Sequence, residues 1–332
     1  MRSQPVRRLA IASLMAAACG AALAQSAPYP DGPRIPSLPE AAFERIDRAL
    51  RDRVATASDA DALFVRGLQA TMDPGARIAD YAAAWRLRPA DLLLLSSLAD
   101  ACLLRSVPTW ADCAAVDPAS RFASRDPDNA VAWVLLAERA RQRGDVPTMR
   151  EQVAHAAGRQ RFDAYRDRGG AAVMRVLGAV PGVAREPEAP FAAAALAALR
   201  ADVAVAEAAT MCQRGQPGVG VEMEPACRRL ARTMAERADT WSARLAGLSI
   251  AWSWASDDAE RSRLAAERDR LAASNLECNG AKLALIEGLN RDAGSREAAR
   301  RIQAAAIEDA LTQGETAVCA GLVARAKEAR LL

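Results

Sequence analysis

Residues 130–159 read AVAWVLLAERARQRGDVPTMREQVAHAAGR, and this stretch decides the fold class. Apolar residues recur every three or four positions on both sides of Gly144-Asp145, a spacing that places them on one face of an α-helix. A glycine followed by an aspartate favours a turn between two helical segments. We therefore predict a hairpin of two helices, Ala130–Arg143 and Val146–Arg159.

The composition of the whole chain agrees with a helical fold. The 332 residues are 51% hydrophobic and 26% charged, which is enough apolar material for a core and argues against intrinsic disorder. Aromatic residues make up only 4%, and alanine, which suits helices better than sheets, is abundant. We predict an all-α fold, and the composition argues against an all-β chain or a large parallel sheet.

The hairpin resembles the tetratricopeptide repeat, which has the pattern W-x2-L-G-x2-Y, then A-x3-F, then P over about 34 residues. The matching residues are Trp133, Leu136 and Ala137 in the first helix, Val153 and Ala156 in the second, and Pro127 just before the unit. The departures are Ala140 in place of the Tyr, Met149 in place of the Ala and Arg161 in place of the closing Pro. The resemblance covers about residues 59–165.

This resemblance implies an architecture and a kind of function. Tetratricopeptide repeats stack their hairpins into a curved solenoid, and the concave face of such a stack binds peptides or protein segments. For this chain it implies a tetratricopeptide-like helical-hairpin solenoid, followed by a disulfide-stapled helical bundle. The alternative is a helical bundle without repeats, in which Trp133 matches the pattern by coincidence.

Clusters of proline and glycine predict the ends of the domains. We predict a Pro-rich linker at 25–39, the tetratricopeptide-like region at 40–180, a second linker at 181–190 and a C-terminal helical domain at 191–332. Three local features are also predicted: a boundary at Gly169-Gly170, one long helical pattern, straight or kinked, over residues 225–255, and a helix from Asp257 that stops at Asn279-Gly280.

Residues 1–24 have the three-part layout of a secretory signal peptide. A start with three arginines precedes an apolar stretch, and residues 22–24 (Ala-Leu-Ala) supply a small-x-small cleavage site. We expect cleavage there and a periplasmic location, although a buried N-terminal helix is the competing interpretation. No later apolar run reaches the length of a membrane span, so no transmembrane segment is expected after the leader is removed.

Residues 16–20 (AAACG) resemble a bacterial lipoprotein cleavage box, in which Cys19 would carry the lipid. That pattern usually has Leu three residues before the Cys, where this chain has Ala16. The resemblance implies an alternative location, as a lipoprotein that is tethered to the membrane through Cys19.

The charge of the chain argues against a nucleic-acid partner. The full sequence has 44 Lys and Arg against 41 Asp and Glu, a formal net charge of +3. Three of the arginines, Arg2, Arg7 and Arg8, lie in the leader, which has no acidic residue. The mature chain is therefore neutral and lacks the basic surface that binding to phosphates requires.

Export would place the cysteines in an oxidising compartment, where an even number of them indicates disulfides. Without Cys19 the six are Cys102, Cys113, Cys212, Cys227, Cys278 and Cys319. Six cysteines allow 15 connectivities, and pairing in sequence order is the simplest. Zinc is the competing interpretation, but there is no C-x2-C spacing and the single histidine is far from every cysteine.

The inventory of reactive residues favours a protein without catalytic function. His155 is the only histidine, so neither a site with two histidine ligands nor a second His for acid–base chemistry exists. No cofactor and no metal are expected. Carboxylates alone can support glycoside hydrolysis, and the candidates are Glu222 with Glu224, Asp257 with Asp258, Glu138 and Glu151.

Two further features could contact a ligand. The loop 213–220 between Cys212 and Cys227 is a surface turn that a disulfide would order in advance, which lowers the entropy cost of binding. Trp241, Trp252 and Trp254 could line a pocket, although packing against a neighbouring helix is the simpler interpretation.

Together these features predict an exported bacterial envelope protein, a non-catalytic helical-repeat module that binds an unknown envelope protein or peptide. One alternative is a carboxylate-dependent enzyme that acts on the cell wall. Another is a periplasmic inhibitor or immunity-type protein that binds one secreted partner.

Overall fold

Aspartate and asparagine side chains cap the first turns of several helices. The side chains of Asp91 and Asn129 accept hydrogen bonds from the amides two residues further on, at 3.0 and 3.2 Å. Asp73 and Asp145 cap the amides three residues further on, at 3.0 and 3.1 Å. Each cap satisfies an amide that has no partner within its own helix, so it fixes the residue at which the helix begins.

The structure is a computed structural model that describes residues 40–332, except 104–110, 184–185, 187–188, 198–199, 201–202, 217, 290 and 313–314. Its first helices are α1 (Glu40–Ala55), α2 (Ala60–Gln69), α3 (Pro74–Leu87), α4 (Leu92–Cys102), α5 (Ala111–Val116), α6 (Pro118–Arg125), α7 (Ala130–Gln142) and α8 (Val146–Ala157). The next are α9 (Arg166–Gly178), α10 (Ala189–Ala197), α11 (Val203–Cys212), a 3-10 helix (Val221–Met223), α12 (Glu224–Arg237), α13 (Trp241–Ser253), α14 (Asp258–Leu289), α15 (Ala293–Thr312) and α16 (Glu315–Glu328). Within these described residues there is no β-strand, so the all-α prediction is confirmed.

The helices between α2 and α8 pack mainly against their neighbours in the sequence. Contacts join α2 to α3, α3 to α4, α4 to α6, α6 to α7 and α7 to α8, and α8 then packs against α12. The helix α5 is a short addition that touches α3 and α4. Helices that follow one another in the sequence are therefore also neighbours in space.

A second set of helices covers part of this row. The helix α9 packs against α2, and α11 packs against α7 and α13. Ion pairs join the two sets: Asp61 to Arg175 at 2.7 Å, Asp100 to Arg200 at 2.6 Å, and Arg141 to Glu207 at 3.3 Å. The Asp100–Arg200 side chains are only 5% and 6% exposed, so this pair lies inside the protein.

One large apolar core runs from Ile46 to Trp254. Residues on both sides of 181–190 contribute to it, for example Leu177 and Leu196, so the predicted linker does not divide the core. A smaller cluster, which includes Leu285 and Leu322, joins α14, α15 and α16. Among the described helices, none combines the length and the apolar character that crossing a bilayer requires.

Two local predictions were wrong because the helix continues through the glycines, and the third region, predicted as one straight or kinked helical pattern, divides at a capping residue. Gly169-Gly170 lies inside α9, where Gly169 is buried and a Cβ atom added there would lie at ordinary van der Waals distance from Phe64 and Ala197. Residues 225–255 form two helices, since Thr240 caps the start of α13. The helix α14 passes through Asn279-Gly280 to Leu289, because Cys278, Ala281 and Leu285 are buried on both sides of that dipeptide.

Candidate functional site

The six cysteines lie in three pairs at disulfide distance. The Cα atoms are 5.7 Å apart in Cys102 and Cys113, 5.1 Å in Cys212 and Cys227, and 5.5 Å in Cys278 and Cys319. These separations fall within the range that a disulfide spans. The pairs are those of the sequence-order connectivity. Cys19, the alternative lipidation site, lies outside the described residues.

The Cys212–Cys227 pair bounds the loop 213–220 and fixes it to two helices. Both cysteines are fully buried. The indole Nε1 of Trp254 donates to the carbonyl of Cys212 at 2.6 Å, and the Arg214 amide donates to Ser253 Oγ at 3.1 Å. The loop is therefore held against the last turn of α13.

The three C-terminal tryptophans do not form a cluster. Trp241 is buried against the Cys278–Cys319 pair, and Trp254 is buried beneath the loop 213–220. Trp252, by contrast, is 51% exposed. Trp252 is thus a large aromatic side chain at the surface, one residue from the anchoring point Ser253.

An open groove of about 560 Å³ begins where α13 ends. It is lined by Glu224, Arg228, Ser256, Asp257, Ala259, Glu260 and Arg263. Arg228 donates to Glu224 at 2.8 Å, to Glu260 at 3.0 Å and to the carbonyl of Trp254. We call the loop 213–220, the last turn of α13 and this groove the disulfide-bounded corner.

The groove contains two of the carboxylates from the sequence analysis, Glu224 and Asp257, together with Glu260. The Glu260 amide donates to Asp257 at 2.8 Å and lowers the pKa of the Asp257 carboxyl. The Ser256 amide donates to Glu260 at 2.8 Å and lowers the pKa of Glu260 in the same way. Both carboxyls are ionised at neutral pH, whereas a glycosidase acid needs a raised pKa.

The remaining carboxylates from the sequence analysis lie apart from one another, each with a basic neighbour. Glu222 pairs with Arg150 at 2.6 Å, and the fully buried Glu138 pairs with Arg141 at 2.6 Å. Asp258 pairs with Arg261 at 2.8 Å. Glu151 lies 3.7 Å from His155. The structure therefore does not bring these groups into one site.

His155 packs against the tryptophan of the tetratricopeptide-like unit. The imidazole ring of His155 stacks on the indole of Trp133 with centroids 4.8 Å apart, and the Arg159 guanidinium lies 4.7 Å from the centroid of that indole. Trp133 Nε1 donates to the carbonyl of Pro127 at 2.8 Å. This arrangement holds the start of α7 against the end of α8.

Asp167, at the start of α9, is a titratable residue that the sequence analysis missed. Burial, and secondly the carboxylate of Glu315, raise its pKa to about 7. Its Oδ2 atom is buried and has no hydrogen-bond partner. Nothing in the local sequence marks this position, because the burial comes from helices distant in the chain.

Within the described residues, no three His, Cys, Asp or Glu side chains are placed to hold a metal ion. Comparison of the chain with models of protein families, with curated proteins and with solved structures finds no match.

Proposed function

We propose that the chain is an exported, non-catalytic envelope protein that binds a protein partner through the disulfide-bounded corner. The observation that carries this proposal is the exposure of Trp252 on a framework that is held rigid. Tryptophan and arginine dominate the energetics of protein interfaces. The corner also carries two arginines: Arg263 lines the groove, and the guanidinium of Arg214 lies 5.7 Å from the ring of the neighbouring Trp254.

Preorganisation supports the proposal. The loop 213–220 is bounded by the buried Cys212–Cys227 pair and anchored through Arg214 and Trp254. Ordering such a loop before binding removes part of the entropy cost of association. Val221, which is 74% exposed, adds a second apolar side chain beside the loop.

The placement of the binding surface differs from what the tetratricopeptide resemblance alone implies. Two details at the unit boundaries recur 38 residues apart and support a repeat-like arrangement: the capping pair Asp91 and Asn129, and the prolines Pro89 and Pro127. The carbonyls of these prolines accept hydrogen bonds from tryptophan side chains. However, α9 and α11 cover α2 and α7. We therefore place the partner at the disulfide-bounded corner and not on the face of the helical hairpins that the tetratricopeptide resemblance implies.

Two observations support the proposed export. The three cysteine pairs at disulfide distance suit an oxidising compartment. The layout of residues 1–24, which lie outside the described residues, is that of a secretory signal. A periplasmic location follows, with lipidation at Cys19 as the alternative.

The test compares Trp252→Ala with Leu276→Ala, since Leu276 is 58% exposed on α14 and is not part of the corner. Both changes remove an exposed apolar side chain, so neither should alter the free energy of unfolding by more than about 0.5 kcal/mol. Mature protein of each type is used to capture partners from envelope extract, and bound proteins are quantified by mass spectrometry. We expect a partner protein that is captured by the wild type and by Leu276→Ala but not by Trp252→Ala. A set of bound proteins that is the same for all three forms would refute the proposal.

A second candidate function is a carboxylate-dependent enzyme that acts on the cell wall. It would use Asp167 as its general acid, since burial and Glu315 raise the pKa of Asp167 to about 7, and it would require a substrate to reach the buried Oδ2 atom. Release of soluble fragments from purified cell wall by the mature chain, abolished in Asp167→Asn, would establish this function in place of the first.

A further inference from the structure

The three cysteine pairs differ in their access to solvent. Cys212, Cys227 and Cys278 are completely buried, and Cys319 is 4% exposed. Cys102 and Cys113 are both partly exposed. Thiol–disulfide exchange requires direct attack on a sulfur atom, so among the three pairs Cys102–Cys113 is the one with the greatest access to a reductant.

The helix that this pair retains has few other attachments to the part of the chain that the structure describes. The six-residue α5 buries only Val116, and its Asp112 pairs with Arg86 of α3 at side chains that are 35% and 54% exposed. Exposed ion pairs contribute little to stability, and a helix of this length is not stable by itself. Among the described residues, the Cys102–Cys113 pair is thus a principal attachment of α5, beside the buried Val116, whose carbonyl accepts a hydrogen bond from Arg121 at 2.5 Å.

Leu103 and Asp117, which lie on either side of the segment that contains α5, are held by contacts that do not involve the cysteine pair. The carbonyl of Leu103 accepts a hydrogen bond from Gln142 at 2.8 Å, and Asp117 pairs with Arg139. Both partners lie on α7. Opening of the cysteine pair would therefore release α5 while the flanking helices stay attached.

We propose that Cys102–Cys113 is a thiol–disulfide exchange site at which an external dithiol releases α5. In the first step a thiolate of the dithiol attacks one sulfur, and the other cysteine leaves as a thiolate. In the second step the remaining thiol of the reductant resolves the mixed disulfide. The reductant is oxidised to a disulfide, and Cys102 and Cys113 take up two electrons and two protons.

The effect on α5 follows from the length of the loop. The pair closes a loop with a sequence separation of 11. The entropy of closing such a loop between free ends corresponds to a factor of about 100, and because Leu103 and Asp117 stay held, this factor is the upper limit for the opening equilibrium of α5. This site is independent of the disulfide-bounded corner, so it can be tested whether or not the corner binds a partner.

The test uses the folded, oxidised protein and dithiothreitol. Samples are alkylated at intervals, and each cysteine is followed by peptide mass spectrometry. We expect alkylation at Cys102 and Cys113 at least about tenfold faster than at the other four. A parallel reaction with reduced thioredoxin distinguishes a protein dithiol from a small one, and selective reduction in either reaction supports the site. Equal rates for all three pairs, or faster reduction of Cys212–Cys227, would overturn the proposal.

A second measurement tests the release of α5. In the double variant Cys102→Ser and Cys113→Ser, hydrogen exchange of the amides in α5 should increase, by up to about 100-fold, with α7 unchanged. The matched control replaces Cys212 and Cys227 with serine and should leave exchange in α5 unaffected. Unchanged exchange of α5 in the first variant would contradict the proposed release. The reduction kinetics of the wild type decide the question if a variant fails to fold.

Discussion

Replacing Gly247 with alanine should destabilise the protein, although alanine is the better helix former. Gly247 lies where α13 crosses α12. A Cβ atom there would be 2.6 Å from the carbonyl oxygen of Ala231, 2.6 Å from the amide nitrogen of Ala235 and 2.7 Å from the Cβ of Met234. Ordinary contacts between such atoms begin near 3.4 Å, and backbone atoms cannot rotate away. The two helices would therefore have to separate by roughly 0.8 Å to reach a normal van der Waals distance.

The size of the effect follows from two opposing contributions. Overpacking of this kind costs up to about 3 kcal/mol, while replacing glycine by alanine inside a helix gains about 1 kcal/mol. We expect a net loss of about 2 kcal/mol in the free energy of unfolding for Gly247→Ala. The matched control is Gly280→Ala inside α14, where nothing lies within 4 Å of the added Cβ. That variant should gain up to about 1 kcal/mol.

Urea unfolding followed by circular dichroism measures both variants. The two substitutions are chemically identical, so an opposite sign isolates the contact between α12 and α13. The reasoning is refuted if Gly247→Ala is as stable as the wild type while Gly280→Ala shows its gain.

The remaining predictions concern buried charges. Because the folded pKa of Asp167 is about 7 and its ordinary value is 3.8, the folded state binds the extra proton between these values. The protonated carboxyl therefore contributes fully to stability below pH 4, and this contribution falls as the pH rises and is lost above pH 7. The free energy of unfolding of the Asp167→Asn variant should exceed that of the wild type by at most about 4 kcal/mol at pH 8. The variant should also lose this pH dependence in urea titrations. Arg200→Ala should cost about 3–5 kcal/mol, because it removes a guanidinium bound to the buried Asp100. Arg261→Ala breaks the exposed pair with Asp258 and should change the free energy of unfolding by no more than about 0.5 kcal/mol. Equal effects of Arg200→Ala and Arg261→Ala would contradict the burial of Arg200.

Local sequence signals predicted the helices well where one face is apolar and a cap is present. The hairpin at residues 130–159 is an example: helices were predicted at Ala130–Arg143 and Val146–Arg159 and observed at Ala130–Gln142 and Val146–Ala157. Gly144 adopts a positive φ of 73° between them, which the turn requires.

The same signals were misleading at two glycines. Gly169 and Gly280 lie within helices, and the predicted breaks there do not occur. Around Gly280 the helix continues because its neighbours Cys278 and Ala281 are buried against other helices, and this burial is not visible in the local sequence.

The candidate site required tertiary structure. The loop 213–220 was recognised from its cysteines, but the exposure of Trp252 depends on how α13 meets the loop and α14. Glu224 and Asp257 share a groove only because α12 and α14 begin close together. The raised pKa of Asp167 likewise depends on Glu315, which is distant in the sequence.

The central claim, that a partner binds at the disulfide-bounded corner, is tested most directly by cross-linking in living cells. A photoreactive benzoylphenylalanine is placed at position 252, and in a second strain at position 276. The account predicts a discrete cross-linked protein from position 252 and none from position 276. The absence of any adduct at 252, or the same adduct from both positions, would contradict it.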